Sequence, residues 1–147
     1  METLKIKKIR KNAIIPKRAT SGSAGLDLTA CIDNPVILQP NELISIPTGL
    51  AIQIPSNNYA AFVFARSGIS IKHGITLSNG VGVIDSDYRG EICVGLCNIS
   101  NKPYEILPFE RIAQLIIMPV CCMPVMETDI LEETQRGTGG FGSTGRK

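Results

Sequence analysis

Residues 82–91, Gly-Val-Ile-Asp-Ser-Asp-Tyr-Arg-Gly-Glu, place a carboxylate, Asp85, directly after the apolar pair Val83 and Ile84. A carboxylate that leaves a strand is expected to be partly buried, and partial burial suits an acid to serve as a general base. Tyr88, three residues on, adds a flat apolar ring with a polar tip. The plain alternative is a hairpin turn with a solvated acidic tip, and the local sequence leaves both readings open.

Four other segments offer chemistry of a different kind. Phe64-Ala65-Arg66-Ser67-Gly68 sets a cation and a hydroxyl at a strand-to-helix junction, where first-turn N–H groups are unpaired and suit an anion. In Ala24-Gly25-Leu26-Asp27-Leu28-Thr29-Ala30, an acid stands between two leucines. It could orient metal-bound water or simply hydrogen-bond backbone. Arg111 and Gln114, in Glu110 to Ile116, read equally as ligand contacts or as ordinary strand-edge residues. The last segment, Arg136 to Lys147, holds five glycines and one aromatic residue. Its match to GxGxxG at 137–142 lacks the following helix that a dinucleotide site needs. Nor does Lys-Ser/Thr follow the glycines at 140–145, as a Walker A loop requires. What remains is general chemistry. Glycine-rich backbone can wrap phosphate with its N–H groups, Arg136 offers a two-pronged fork, and Phe141 offers a face for a base. A disordered tail is the alternative, since so little apolar surface cannot offset the entropy of ordering.

The elements that must position these residues are short. Fourteen glycines and nine prolines punctuate the chain, with two-residue alternation between them. The runs Leu4–Ile9, Leu43–Ile46, Ala51–Pro55, Ala60–Phe64, Ile75–Leu77, Ile92–Ile99 and Ile112–Pro119 read as strands. In the clearest of them Ile92, Val94 and Leu96 share one face. Turn residues separate these runs, at Asp33-Asn34-Pro35, Pro40-Asn41, Ser78-Asn79-Gly80 and Asn101-Lys102-Pro103. One short helix is expected over Ser67–Gly74, with Ser67 as its N-cap and Gly74 as its end. Such a pattern predicts an all-β jelly-roll-like distorted barrel or sandwich with at most one short helix. A length of 147 residues fits one domain. The expected division is a barrel over 1–135 and a flexible glycine-rich flap over 136–147 that orders on a ligand.

Composition removes several classes of function. Hydrophobic residues make up 44% and charged residues 19%, which excludes wholesale disorder. No apolar run approaches the roughly 18 residues of a membrane span, and residues 1–8 lack the apolar core of a secretory signal. There is no Trp and only 5% aromatic residues, so stable nucleic-acid binding is not expected. Residues 1–18 carry seven cations against Glu2, a net +6, and the rest of the chain carries −4. A solvated strand, a localisation signal or the rim of an anionic-ligand site would each account for that basic start. Five cysteines without a CxxC pair, beside a single histidine, make no convincing zinc site. Free thiols in a reducing compartment, the cytoplasm, are the expectation.

Taken in order, the five segments resemble the five motifs of the trimeric dUTPase family. The likeness runs from Pro16 to Gly145, and its compact length is most similar to the poxvirus-type members. The resemblance implies a homotrimer with three active sites at subunit interfaces. It also implies dUTP with Mg²⁺ as substrate, and dUMP and pyrophosphate as products. Asp85 would activate water for attack on the α-phosphorus, and Tyr88 would pack on the deoxyribose and leave no room for a 2′-hydroxyl. Gly82, Val83, Ile84 and Asp85, with the Cys93 main chain opposite, would read the uracil edge. Arg66, Ser67, Gly68 and Gln114 would hold the phosphates, and Arg111 would be a further substrate-binding residue. Arg136 would reach the γ-phosphate, Phe141 would stack on uracil, and Gly142, Ser143 and Thr144 would close over the nucleotide. Asp27 would touch Mg²⁺ only through water, or serve the site's architecture. The chain departs from the common family pattern at Leu26, Ala65 and Cys93. Two rivals differ in chemistry: a dCTP deaminase of the same fold, and a non-catalytic nucleotide-binding module.

Overall fold

The alternating apolar runs become strands that pair almost entirely with partners distant in sequence. The computed structural model of the chain describes residues 2–140. Eleven strands form, with one helix between the sixth and the seventh: β1 Lys5–Lys8, β2 Leu26–Thr29, β3 Val36–Leu38, β4 Leu43–Pro47, β5 Leu50–Gln53, β6 Tyr59–Ala65, α1 Ser67–His73, β7 Ile75–Leu77, β8 Gly82–Ile84, β9 Cys93–Asn98, β10 Tyr104–Ile106 and β11 Arg111–Pro119. All pairings are antiparallel. A four-stranded sheet runs β2-β11-β6-β8 and a three-stranded sheet runs β4-β9-β7, with β1-β5 and β10-β3 as two-stranded ribbons. The all-β expectation with one short helix holds.

Period-two burial explains the pairing. Along β9, Val94, Leu96 and Asn98 are buried while the residues between them are not. Ile92, just before the strand, lies on the same inner side as Val94 and Leu96. The central strand β11 buries both Ile112 and Ala113, two neighbours in sequence, because its register against β2 shifts between Arg111 and Ala113. Such a bulge turns consecutive side chains toward one face. The core gathers Leu28, Leu38, Ile46, Leu50, Ile75, Leu96, Ile106, Ile112 and Leu115.

Two buried polar residues tie the layers together. Thr48 Oγ1 donates to the Ile92 carbonyl at 2.6 Å. Asn98 Nδ2 donates to the carbonyls of Leu38 and Lys102, and its Oδ1 accepts from Ser100. Every buried side-chain N or O among the described residues has a partner.

The helix departs from expectation at its start. Ser67 is the first helical residue and not the N-cap. Arg66 occupies that place at ψ 130° and lends it no side-chain hydrogen bond. Its guanidinium is drawn instead to Asp27. Gly74 ends the helix as expected, at φ 69°, with its N–H on the Ile69 and Ser70 carbonyls. Beyond β11 no further strand occurs among the described residues. Val120 N–H bonds to the Asn58 carbonyl, and residues 121–138 are exposed.

Candidate functional site

β8 lies at the edge of the four-stranded sheet, with Val83 opposite Phe62 and Gly82 opposite Val63 of β6. The chain then leaves the sheet at Asp85 and turns, with Tyr88 N–H on the Asp85 carbonyl at 3.2 Å. Arg89 closes this loop by donating to the carbonyls of Ser86 and Tyr88, both at 2.8 Å. Between the loop and β9 opens a cavity of about 340 Å³, within the size range of small-ligand pockets. Gly82, Val83, Ile84, Asp85, Tyr88 and Cys93 all line it, together with Val63, Leu77, Asn79, Glu91, Ile92, Val94 and Gly95.

The fold thus gathers the hairpin residues singled out in the sequence, with one correction. Asp85 is exposed in the single chain, not partly buried, because its loop projects beyond the sheet edge. No side chain among the described residues pairs with its carboxylate. Tyr88 is 45% exposed, and its Oη donates to the Glu91 carbonyl at 3.0 Å. The Cys93 thiol titrates above its ordinary value, chiefly because of partial burial and secondarily because of the Glu91 charge.

A second group forms where β2, β11 and β6 run side by side. Gln114 stands opposite Asp27 on one flank and Phe64 on the other. Its Nε2 donates to the Ala65 carbonyl at 3.0 Å. Asp27 accepts from Arg66 Nε at 2.9 Å on one oxygen and from Arg111 at 3.1 Å on the other. Arg66 also donates to the Arg111 carbonyl at 3.0 Å. The acid between two leucines therefore serves as counter-ion to two arginines. Ser67 and Gly68 follow at once in the first turn of α1, whose leading N–H groups have no intrahelical acceptor.

The two groups remain apart. Asp27, Arg66, Ser67, Gly68, Arg111 and Gln114 do not line the cavity. From Val63 on its wall to Arg66 is about 10 Å along an extended strand. Among the described residues, the cavity carries two carboxylates, Asp85 and Glu91, and no Lys or Arg. Arg136 lies apart from both groups, in a local turn where its Nε donates to the Gly139 carbonyl at 2.7 Å. Phe141, Gly142, Ser143 and Thr144 lie outside the described residues.

Sequence reading passed over one pair. Glu91 lines the cavity and is gripped by Arg10 through two hydrogen bonds, at 2.7 and 2.9 Å. Arg10 belongs to the basic start, so a solvated strand does not describe that whole segment. With the partners 81 positions apart, no local signal could have joined them.

The family model described as dUTPase matches residues 11–145. The chain is 50% identical over 143 residues to the deoxyuridine 5'-triphosphate nucleotidohydrolase of Burkholderia mallei (strain SAVP1), covering 97% of both chains. It is 49% identical over 144 residues to the enzyme of the same name from Desulfitobacterium hafniense (strain DSM 10664 / DCB-2), covering 97% of this chain and 95% of that one. Both relatives are bacterial, and neither supports the narrower likeness to poxvirus-type members. Among solved structures, a Staphylococcus bacteriophage 80alpha dUTPase with dUPNHPP superposes with a TM-score of 0.88 at 29% identity, covering 99% of each chain. With a family model matched over residues 11–145 and relatives about half identical over nearly its whole length, the chain belongs to the dUTPase family.

Proposed function

We propose that the chain hydrolyses dUTP to dUMP and pyrophosphate, so limiting uracil in DNA and supplying dUMP. The observation that carries the reading is the cavity between the 82–91 hairpin and β9, where Asp85 and Tyr88 meet exposed backbone of β8. A strand edge of fixed geometry can read the uracil rim by its N–H and C=O groups, and it is narrow enough to reject a methyl or mispair with an amino group. Tyr88 packs on the sugar and occupies the space that a 2′-hydroxyl would need. Asp85 takes the proton from a water whose oxygen attacks the α-phosphorus, and the α–β bridging oxygen leaves with pyrophosphate. Solvent exposure of Asp85 in one chain is compatible with this role once the nucleotide and a closing segment exclude water.

A triphosphate brings three to four negative charges into a cavity whose charged walls, among the described residues, are acidic. The neutralising cations must come from elsewhere, and Arg66, Arg111 and the first turn of α1 form the cluster that suits them. We take the cavity of one copy and the cluster of another to complete one site, in a homotrimer with three such sites. The exposed apolar residues Met123, Val125, Met126, Ile130 and Leu131, each at least 74% exposed, support the association. Arg136, Phe141 and Gly142 to Thr144 complete the assignment as the closing segment.

Mg²⁺ fits this chemistry in one manner only. No group of three or more metal-ligating side chains occurs among the described residues, and both Asp27 oxygens already accept from arginine. A hard cation that keeps its waters and binds chiefly to substrate phosphates suits such a site. Asp27 retains lone pairs for one of those waters. When bound, the ion would add charge neutralisation to that of the arginines. Surface thiols at Cys93, Cys121 and Cys122 suit a reducing compartment, and the cytoplasm is the location we propose. No helix among the described residues is long and apolar enough to cross a membrane.

A panel of nucleoside triphosphates with Mg²⁺ and pyrophosphate detection tests the activity. Rapid release from dUTP alone is the expected result, and equal release from dCTP or none from dUTP would reject it. Mixing Asp85→Asn with Arg66→Ala chains tests the shared site. If activity returns only on mixing, the cavity and cluster come from different copies.

A further inference from the structure

We propose that Arg10 and Glu91 form a positioning clamp for the Tyr88 ring, and that this clamp sets the discrimination between deoxyribose and ribose nucleotides. The proposal rests on the reading of Tyr88 as the residue that packs on the sugar.

Tyr88 is held at two points. Its N–H bonds to Asp85 within the loop, and its Oη bonds to the Glu91 carbonyl at 3.0 Å. The other bonds of residues 86–89 are local, from Arg89 to carbonyls one and three residues away. Among the described residues, the loop has no hydrogen-bond anchor of its own outside the segment. Glu91 supplies one. Its carboxylate accepts from Arg10 Nε, from a second Arg10 nitrogen and from the Gly49 N–H at 2.9 Å. Just beyond, Ile92 exchanges bonds with Leu50 and Thr48. The far end of the hairpin is thus fixed to the β4–β5 turn, and Oη of Tyr88 hangs from that fixed point.

Arg10 is itself seated. Ile9 N–H reaches the Gly49 carbonyl at 2.8 Å. Gly49 has φ +70°, and a Cβ there would lie 2.7 Å from Ala13 Cβ and 3.1 Å from Arg10 Cβ. Only glycine allows the arginine segment to close so tightly on this turn. The guanidinium is half exposed, and exposed ion pairs contribute little to stability. A two-pronged arginine–carboxylate pair is directional, however. Its position at the root of the sugar-facing loop makes orientation its effect.

The test uses the full chain and steady-state kinetics with dUTP and UTP. Arg10→Ala and Glu91→Gln are expected to lower the dUTP-over-UTP ratio of kcat/KM about tenfold, by raising KM for dUTP and by admitting UTP. Melting temperature and oligomeric state serve as the folding controls. Arg10→Lys keeps the charge without the fork and is expected to fall between; it is the variant to read if Arg10→Ala does not fold. Tyr88→Phe is expected to add little to Glu91→Gln, since both release the same anchor. A ratio within twofold of the parent in folded Glu91→Gln overturns the clamp, as does an equal loss for both substrates. Tyr88→Ala separates the two levels. If it leaves the ratio unchanged, the sugar-packing reading fails and the clamp fails with it. If it collapses the ratio while Glu91→Gln does not, only the clamp fails.

Discussion

The phenol of Tyr88 lies across Gly90: a Cβ placed on Gly90 would stand 2.5 Å from Tyr88 Cζ and 2.9 Å from Cε2. The atoms in the way belong to the far end of a side chain, so the ring can swing aside while the backbone stays. Gly90→Ala is therefore expected to leave stability within about 1 kcal/mol of the parent. The same substitution moves the ring from its resting place and raises acceptance of UTP. Paired thermal melts and dUTP/UTP kinetics check both halves of the expectation.

Asp85→Asn keeps the size and polarity of the side chain and removes its capacity to take a proton. Turnover of dUTP is expected to fall about 10²–10⁴-fold, with nucleotide affinity close to that of the parent. Single-turnover hydrolysis beside equilibrium binding of a non-hydrolysable dUTP analogue gives the comparison. Unchanged turnover would remove Asp85 from the mechanism.

Asp27 neutralises two guanidiniums, and at 25% exposure it is largely withdrawn from water. Asp27→Ala leaves Arg66 and Arg111 as unbalanced neighbours. A stability loss of about 2 kcal/mol is expected, read from urea midpoints with an unchanged slope. Phosphate affinity should weaken as well, since Arg66 loses the contact that aims it. Full stability would show that the two arginines do not depend on this carboxylate.

Arg10 and the Gly49 N–H hold the Glu91 carboxyl below its ordinary value, with burial opposing them in part. The Cys31 and Cys93 thiols also feel the Glu91 charge, and both titrate above their ordinary value. They are neutral in acid and leave the carboxylate as the group that changes charge there. A depressed folded pKa contributes stability that is fully present above the unfolded value, about 4.3, and is lost as pH falls through the folded one. The stability gap between parent and Glu91→Gln should therefore be constant near neutrality and shrink toward pH 3. Denaturation midpoints of both proteins from pH 3 to 7 check the sign, and a gap that widened in acid would reverse it.

Ending the chain at Gln135 removes only local contacts among the described residues. The bonds of 136–140 run from Gly137 to Thr134, from Gly139 to Arg136 and from Arg136 to Gly139. The truncated chain should fold and associate like the parent while turnover of dUTP falls by at least about tenfold. Retained activity would remove this segment from the site.

Much of the fold was legible because strand burial has period two. Ile92, Val94 and Leu96 announce an inner face whatever they pack against, and the turn residues at 78–80 mark a reversal by their own backbone preferences. The short strands β3 and β10 were not legible, since each owes its existence to pairing with the other across more than sixty residues. The hairpin residues were legible as a local string, from Gly82 to Tyr88.

Residue type, local spacing and the alternation that builds the sheets were determined by the sequence itself, because each depends on covalent neighbours. Only the tertiary structure decided that Asp27 spends both oxygens on arginines, one capping α1 and one on β11, that Asp85 stands in solvent, and that Arg10 grips Glu91. Those relations join residues 39 to 84 positions apart. Their distances are set by which strands become neighbours, and strand pairing is a property of the whole packed chain.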